Sequence, residues 1–327
     1  MERRSATPRQ LDRLREELAE IGLRWDGSEA WHEFALTSLE YARRPRTFEH
    51  RTPSFGAIIG PTTDHAGWGQ ATGLRIERRH ADGFWSSSAY LYADGLSCWI
   101  VLDPAGGHHV AIFDRPAGSE RDLVVIAAAT GATLVQRHPD GIVRIVGATG
   151  VHRWDGMDWQ HQAPLSSWID AIVAVSCDRH DDRDVLEGLV EFALHDLGAR
   201  HIGATLIYRA DDRWAHGRQS LLPPPPRLDI RHPPDLGPLR HSLAQIDGAT
   251  VFDAGGIVRE IGVRLVPSTD AESDVPALRG MRHTSAVRYS ADDRQATIIT
   301  VSESGGVTVL RQGRIVGVAP GSDTDGD

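Results

Sequence analysis

Asp247-Gly248-Ala249 is the first of three short motifs whose side chains could do chemistry. It lies between a predicted short helix and a predicted strand. Its carboxylate should therefore project from a loop edge, where a metal ion or a hydroxyl group can reach it. Asp-Gly is also common in tight turns, and an isolated motif of this kind is more often only a turn. The motif is informative only together with its neighbours.

The second motif is Arg282-His283-Thr284, which opens a segment with the apolar periodicity of a helix. A cationic side chain, hydroxyls and backbone N–H groups at a helix N-terminus could converge on an anion, and phosphate is the natural candidate. The alternative is an ordinary helix start, in which Thr284 or Ser285 caps backbone amides and Arg282 is solvated. Taken by itself, the motif favours that alternative.

The third motif is Ser302-Glu303, which ends a strongly apolar predicted strand and precedes the turn Ser304-Gly305-Gly306. A carboxylate at the end of a strand can hold a cation. A solvated hairpin residue is the commoner case. The pattern leaves both interpretations open.

Helices and strands alternate irregularly around these motifs, which predicts a mixed α/β domain. The predicted elements are a helix at 185–199 with Gly198 as its C-cap, a strand at 201–209, a proline-rich loop at 223–226, a short helix at 238–245, a hairpin at 249–265, a helix at 282–290, strands at 296–303 and 306–312, and a short acidic tail at the end.

The first half of the sequence predicts a different kind of domain. Two amphipathic helices are expected within residues 8–44, and residues 55–159 show short apolar or alternating runs separated by turn signals. The predicted strands include residues 87–93 and 122–129. This pattern is typical of a mainly antiparallel sheet or a barrel-like domain, and a helix at 165–175 is expected to close it.

Composition limits the classes of partner. The 45 acidic and 35 basic residues give a net charge of −10, which argues against broad contact with nucleic acid or an anionic membrane. Only Cys98 and Cys177 are present, far apart and without neighbours at metal-ligand spacing, so neither a disulfide framework nor a zinc site is indicated. No apolar run is long enough to span a bilayer, and a cytoplasmic location is expected.

The order of the segments HIGATLIY, DGATVFDAGGIVREIGVRLVPS, GMRHTSA and ATIITVSESGGVTVLRQGRIV resembles the diadenylate cyclase domain family. The resemblance covers residues 182–317. It implies an α/β (α+β) fold with a mixed-sheet cyclase domain flanked by helices at 182–318 and an acidic tail at 319–327. A β-rich regulatory domain at 1–165, with two leading helices, and a linker or helix at 166–181 would precede it.

Site roles follow from the resemblance. Asp247 resembles the metal-binding aspartate that helps activate a ribose 3′-hydroxyl, and Gly248 and Ala249 match residues that shape the nucleotide pocket. Leu265 looks like the leucine at the adenine. Gly203 falls in the strand equivalent to the family's GALI segment, where its role is more structural than catalytic.

The other two motifs also match the family. Arg282, His283 and Thr284 correspond to its triphosphate-binding motif, so the implied catalytic residues are Asp247, Arg282 and His283. Ser302 and Glu303 match the start of its SEE-type motif, near phosphate and metal. The implied metal ligands are Asp247 and Glu303, and the implied ion is Mg²⁺ or Mn²⁺.

Three positions depart from the family pattern. Ile246 stands where the family often has histidine, Ser304 replaces a second acidic residue, and RHT replaces RHR, a known form of the motif. The first two departures remove possible metal ligands. They bear on metal affinity and on rate.

The resemblance implies an enzyme that condenses two ATP molecules into cyclic di-AMP and two pyrophosphates, with two domains meeting face to face in a homo-oligomer. By analogy, the N-terminal domain would respond to a ligand or partner that the sequence does not identify. One alternative is a catalytically impaired module that binds ATP or a cyclic dinucleotide. The other is an interaction protein in which the motifs are coincidental, which the matching flanking strands disfavour.

Overall fold

The computed structural model describes residues 7–45, 47, 52–60, 68–69, 72–80, 90–103, 107–164, 169, 181–209, 218–278, 280–319 and 321. Contacts between residues divide the chain into two compact units, Met1–Pro164 and Leu165–Asp327. Each contains a mixed sheet with flanking helices. Among the described helices, none combines the length and apolar composition needed to cross a bilayer.

The first unit begins with two helices, as predicted, and continues into a sheet; the described part of the unit contains one further helix of more than one turn. The helices are α1 (Pro8–Glu20), α2 (Ala30–Arg43) and α3 (Glu120–Thr130). The strands are β1 (Phe55–Ile59), β2 (Ile76–His80), β3 (Cys98–Leu102), β4 (His108–Phe113), β5 (Thr133–Arg137), β6 (Val143–Gly147), β7 (Gly150–Trp154) and β8 (Trp159–Gln162).

These strands form an eight-stranded sheet in the order β2-β4-β3-β1-β5-β6-β7-β8. The β1–β3 pair is parallel and the other described pairs are antiparallel. Alternate residues of β1 enter two different cores: Ala57 and Ile59 pack with α1 and α2, whereas Ile58 packs with α3. The sheet is mainly antiparallel, as expected, and its described strands do not close into a barrel.

Two predicted strands of this unit are wrong. Residues 122–129 lie in α3, whose start is capped by Ser119 and whose end is marked by Gly131 in left-handed conformation. A short apolar run does not distinguish a buried strand from a buried helix. Within the predicted strand at 87–93, residues 90–92 form a helical turn, and residues 87–89 lie outside the described residues. The predicted helix at 165–175 also lies outside them, apart from Ile169.

The second unit contains four helices and seven strands among its described residues. The helices are α4 (Asp181–Glu191), α5 (Pro233–Gln245), α6 (Thr269–Asp274) and α7 (Met281–Asp292). The strands are β9 (Ala204–Tyr208), β10 (Arg218–Ser220), β11 (Ala249–Phe252), β12 (Val258–Leu265), β13 (Thr297–Val301), β14 (Val307–Arg311) and β15 (Arg314–Ala319). The helix α6 and the strands β10 and β15 were not predicted.

The strand order is β10-β12-β11-β9-β13-β14-β15, with β9 and β11 parallel and the other pairs antiparallel. Apolar residues cover both faces. Leu189 of α4 and Leu239 of α5 share a core with Leu206, whereas Val287 of α7 packs with Ile207 on the opposite face. The sheet is therefore a buried central layer, which explains why β9 and β13 read as continuous apolar runs.

Gly198 occupies the predicted C-cap position of the helical segment before β9, but without the left-handed conformation that is usual for a glycine cap. The chain continues from α4 into a π-helical segment, Phe192–Leu197, and then a 3₁₀ turn, Gly198–Arg200. Gly198 keeps right-handed helical backbone angles, and the left-handed residue is His201, with φ of 56°. A side chain at Gly198 is therefore excluded by close packing on Gly305 and not by backbone conformation.

Candidate functional site

Strand pairing brings two of the three motifs, those of Asp247 and of Ser302-Glu303, to one edge of the second sheet. The start of β11 lies beside the start of β9, with Ala249 opposite Thr205. The end of β13 lies at the same place, with Val301 opposite Ala204. The end of β12 joins them because Val263 pairs with Ala249. We call this the site edge; it is defined by His201, Gly203, Asp247, Gly248, Leu265, Ser302 and Glu303, together with Arg282, which reaches it from α7.

The spacing of the strands sets the width of the site edge. Asp247 precedes β11 and Ser302 follows β13, and β9 lies between these two strands. Because neighbouring strands are about 4.8 Å apart, the two strand ends are separated by roughly 10 Å across the sheet. A nucleotide with its phosphates can lie across such a span.

Asp247 is exposed and makes no hydrogen bond or ion pair with the described residues. Its neighbour Gly248 has φ of 107°, a conformation that favours glycine. A Cβ at Gly248 would lie 2.8 Å from the carbonyl carbon of Gly262, which forms part of an irregularity in β12. The turn thus holds the carboxylate outward while Ala249, which is buried, starts the strand.

Arg282 lies in the first turn of α7 and reaches the site edge. Its Nη1 donates a 3.5 Å hydrogen bond to the carbonyl oxygen of Val301 at the end of β13. Its guanidinium also lies against Gly203, where a Cβ would be 2.4 Å from Nη1. The N-terminal end of α7, with its free backbone N–H groups, therefore meets the sheet where β9 begins and β13 ends.

His283 and Thr284 have different environments. Burial lowers the pKa of the half-buried His283, and the neighbouring Arg282 cation lowers it further. The imidazole is therefore mainly neutral at pH 7. The Thr284 hydroxyl accepts a hydrogen bond from the Leu278 N–H (3.1 Å) and donates to the carbonyl oxygens of Leu278 or Gly280 (2.9 and 3.0 Å). This hydroxyl fixes the loop that leads into α7.

The turn after β13 is held by its own hydroxyls. Ser302 Oγ accepts a 2.9 Å hydrogen bond from the Gly306 N–H and lies 2.9 Å from Ser304 Oγ. Glu303 is exposed at the tip and makes no hydrogen bond or ion pair with the described residues. Gly305, with φ of 86°, packs directly on Gly198 at the end of the preceding helical segment. The helix end therefore fixes the position of the turn that carries Glu303.

Leu265 and His201 complete the site edge. Leu265 is half-buried at the end of β12 and packs against the core beneath α7. His201, which sequence reasoning did not single out, is exposed, and its Nδ1 lies beside Gly305. No sequence pattern indicates that His201 adopts a left-handed backbone conformation, because the connection between the 3₁₀ turn and β9 imposes that conformation.

The carboxylates of Asp247 and Glu303 are suited to a divalent cation that is also coordinated by a substrate. Among the residues that the structure describes, no three His, Cys, Asp or Glu side chains converge to form a complete metal cage. Asp247 and Glu303 are two unengaged carboxylates on one edge. Mg²⁺ is usually held by one or two carboxylates together with substrate phosphates and water. Ile246 and Ser304 add no charge to this set.

Two family models match the chain, one within each of its two compact units. Residues 12–162 match the model described as "Probable sensor domain DACNK". Residues 191–315 match the DAC model, described as "DisA bacterial checkpoint controller nucleotide-binding". The second match contains all three motifs of the site edge.

A solved structure of a hypothetical membrane spanning protein from Bacillus cereus is also similar. It is 17% identical, with a TM-score of 0.35, over 42% of this chain and 68% of that chain. No curated protein matches.

Proposed function

The C-terminal half of this chain is a DAC domain of the DisA nucleotide-binding family, preceded by a DACNK sensor domain, and from this premise we propose that the protein is a diadenylate cyclase. It would condense two ATP molecules into cyclic di-AMP and release two pyrophosphates. The observation that supports this proposal most directly is the site edge. It combines two free carboxylates, Asp247 and Glu303, with the guanidinium of Arg282 at a helix N-terminus.

The reaction consists of two equivalent transfers. In each, the 3′-oxygen of one ATP bonds to the α-phosphorus of the other, the bond from that phosphorus to the pyrophosphate oxygen breaks, and the hydroxyl proton is released. Negative charge therefore grows on the phosphoryl oxygens and on the leaving pyrophosphate. Catalysis depends mainly on positioning and on electrostatic stabilisation.

The residues at the site edge have properties that suit these needs. Arg282 and the N–H groups of α7 would bind the triphosphate, since a guanidinium donates in a planar fork that matches phosphate oxygens. The neutral His283 would donate or accept a hydrogen bond there without adding charge. Asp247 would orient the 3′-hydroxyl. A Mg²⁺ or Mn²⁺ ion held by Asp247 and Glu303 would supply further neutralisation of phosphate charge.

The proposal extends to assembly, location and control. Because the product has two-fold symmetry and each domain offers one site edge, two copies would meet face to face. The charge of −10 and the use of cytosolic ATP suit a cytoplasmic enzyme that binds neither nucleic acid nor membrane. The sensor domain would bind an unidentified ligand or partner and set the activity of the cyclase domain.

A second candidate function is a module that binds ATP or a cyclic dinucleotide without turnover. It is favoured by one observation: the position of the second acidic residue is held by Ser304, whose hydroxyl contacts Ser302 rather than extending a carboxylate. Fewer acidic ligands would reduce metal affinity more than they would reduce nucleotide binding by Arg282.

Incubation of the full-length chain with ATP and either Mg²⁺ or Mn²⁺, followed by chromatographic detection of cyclic di-AMP, separates these functions. The expected result is product formation that Asp247→Asn abolishes and that Asp270→Asn, an exposed control in α6, leaves unchanged. ATP binding without product under either metal would support the binding module. Absence of ATP binding would reject both. Activity per mole that stays constant on strong dilution would contradict the face-to-face dimer.

A further inference from the structure

We propose that Gly203 is a positioning residue for Arg282, and that the bare Cα of Gly203 forms the seat on which the guanidinium rests. The inference rests on the proposed nucleotide-binding function. It assigns a role to a residue that contributes no side chain of its own.

The steric relationship is close. A Cβ built on Gly203 would lie 2.4 Å from Nη1 of Arg282, 3.1 Å from Cζ and 3.2 Å from Nη2. Nη1 therefore occupies space that the Cβ of any other amino acid would need, and Cζ and Nη2 would be in tight contact with that Cβ. Real Cβ atoms essentially never make contacts below 3.0 Å, so a side chain at position 203 must displace the guanidinium.

The displaced group would lose a defined location. While the guanidinium packs against Gly203, Nη1 of Arg282 donates to the Val301 carbonyl oxygen at 3.5 Å. The guanidinium therefore contacts both the start of β9 and the end of β13. Within the described part of the chain, no carboxylate pairs with Arg282. Most of its five N–H donors thus remain available for phosphate oxygens.

The backbone conformation of Gly203 distinguishes a role in positioning Arg282 from the common structural role of glycine, which is to adopt a positive φ. Gly248 and Gly305 have positive φ values of 107° and 86°, so a side chain at either position would strain the backbone. Gly203 is not among the residues with positive φ. Its backbone can accept alanine, and the three atoms nearest to its missing Cβ belong to the flexible end of Arg282. Gly203→Ala should therefore fold normally and move only the guanidinium.

Moving the guanidinium should weaken ATP binding. A charged group displaced by about 1 Å from its productive position can cost a hundredfold in rate, and binding of an anion by a planar fork depends on the same alignment. We expect Gly203→Ala to raise the Kd for ATP by about tenfold or more.

The test is a double-mutant cycle in the full-length chain, with α,β-methylene ATP as the titrant in calorimetry and thermal unfolding as the control for folding. Arg282→Ala should also weaken binding. In the Arg282→Ala background, adding Gly203→Ala should change the Kd by less than twofold, because no guanidinium remains to be displaced. Gly237→Ala is the matched control, since its Cβ would meet no atom within 4 Å.

Arg282→Lys provides a second readout. Lysine has a compact ammonium without a planar group, so Gly203→Ala should be tolerated better in the Arg282→Lys background than beside the native arginine. Equal effects of Gly203→Ala with and without Arg282, or no effect while Arg282→Ala weakens binding, would overturn this inference and leave the proposed function standing. Failure of the unaltered chain to bind the nucleotide would instead overturn the proposed function, and the inference with it.

Discussion

Gly198 and Gly305 lie in direct backbone contact: a Cβ on either residue would approach the carbonyl oxygen of the other to 2.7 Å. Gly198 ends the helical segment that follows α4, and Gly305 belongs to the turn that carries Glu303. The contact joins the buried helical segment before β9 to the site edge. The position of the exposed Glu303 is therefore set in part by backbone packing against the buried Gly198.

Gly198→Ala should destabilise the second unit. Its backbone angles suit alanine, but the added methyl group meets a backbone oxygen that cannot rotate away. We expect a loss of about 1–3 kcal/mol in the free energy of unfolding, as for overpacking in a close-packed core. Gly188→Ala in α4 is the matched control, since its Cβ makes only ordinary contacts at 3.8 Å or more. Urea denaturation measures both variants, and equal midpoints would contradict the role of the contact.

Glu120→Gln should destabilise the first unit. Glu120 is buried and accepts hydrogen bonds from Arg153, and Arg144 lies 3.6 Å from the same carboxylate. Removing the charge takes the carboxylate from the largely buried Arg153, whereas Arg144 keeps its contacts with Asp140 and Gln136. Breaking one side of a buried ion pair typically costs about 3–5 kcal/mol. Glu77→Gln, which affects an exposed pair with Arg79, should cost less than about 1 kcal/mol. The comparison uses chemical denaturation followed by tryptophan fluorescence.

Acid should weaken the first unit through His152. Burial lowers the pKa of His152 to about 4, with a smaller contribution from the stacked His161. In the unfolded chain this histidine has an ordinary pKa near 6.5, so between about pH 6.5 and 4 the unfolded chain binds a proton at His152 that the folded chain does not bind. Stability should therefore decline as pH falls from about 6.5 to about 4, by roughly 3 kcal/mol in total, and this residue contributes no pH dependence above that window.

The pH effect is isolated by substitution. His152→Gln should flatten the stability profile between pH 6.5 and 4, whereas the exposed His161→Gln should preserve most of the slope. Asp140 titrates in a separate window because its pKa is lowered to about 2, so its stabilisation is lost only as pH falls below about 3.8. Identical slopes for the unaltered chain and His152→Gln would show that His152 is not the group responsible.

Ser304→Glu should increase the affinity of the proposed cyclase for its divalent metal ion. A carboxylate at this position would join Glu303 in the turn that shares the site edge with Asp247, and each added acidic ligand favours a divalent cation. We expect the Mn²⁺ concentration for half-maximal activity or nucleotide binding to fall about tenfold. Ser304→Gln has the same length without the charge and should not reproduce the effect. An unchanged metal requirement in both variants would place residue 304 outside the metal's reach.

Local sequence patterns were sufficient for most elements of the fold. The helices α1 and α2, the hairpin of β11 and β12, and the continuous apolar strands β9 and β13 were predicted because their periodicity and turn signals agree. The helix α3 was assigned to a strand because its apolar run fits either structure. The strand β15 was missed although four of its six residues are apolar; it is a short, partly exposed edge strand that follows β14 after only two residues.

The sequence by itself determined which residues carry the candidate chemistry, because Asp247, Arg282 and Glu303 lie in motifs that can be read over a few positions. Only the tertiary structure decided that these motifs share one edge, since strand order and direction depend on pairing between distant segments. The tertiary structure also supplies a reason for glycine at position 203. A missing side chain has meaning only when the group that fills its space comes from another part of the chain, and here that group is the guanidinium of Arg282.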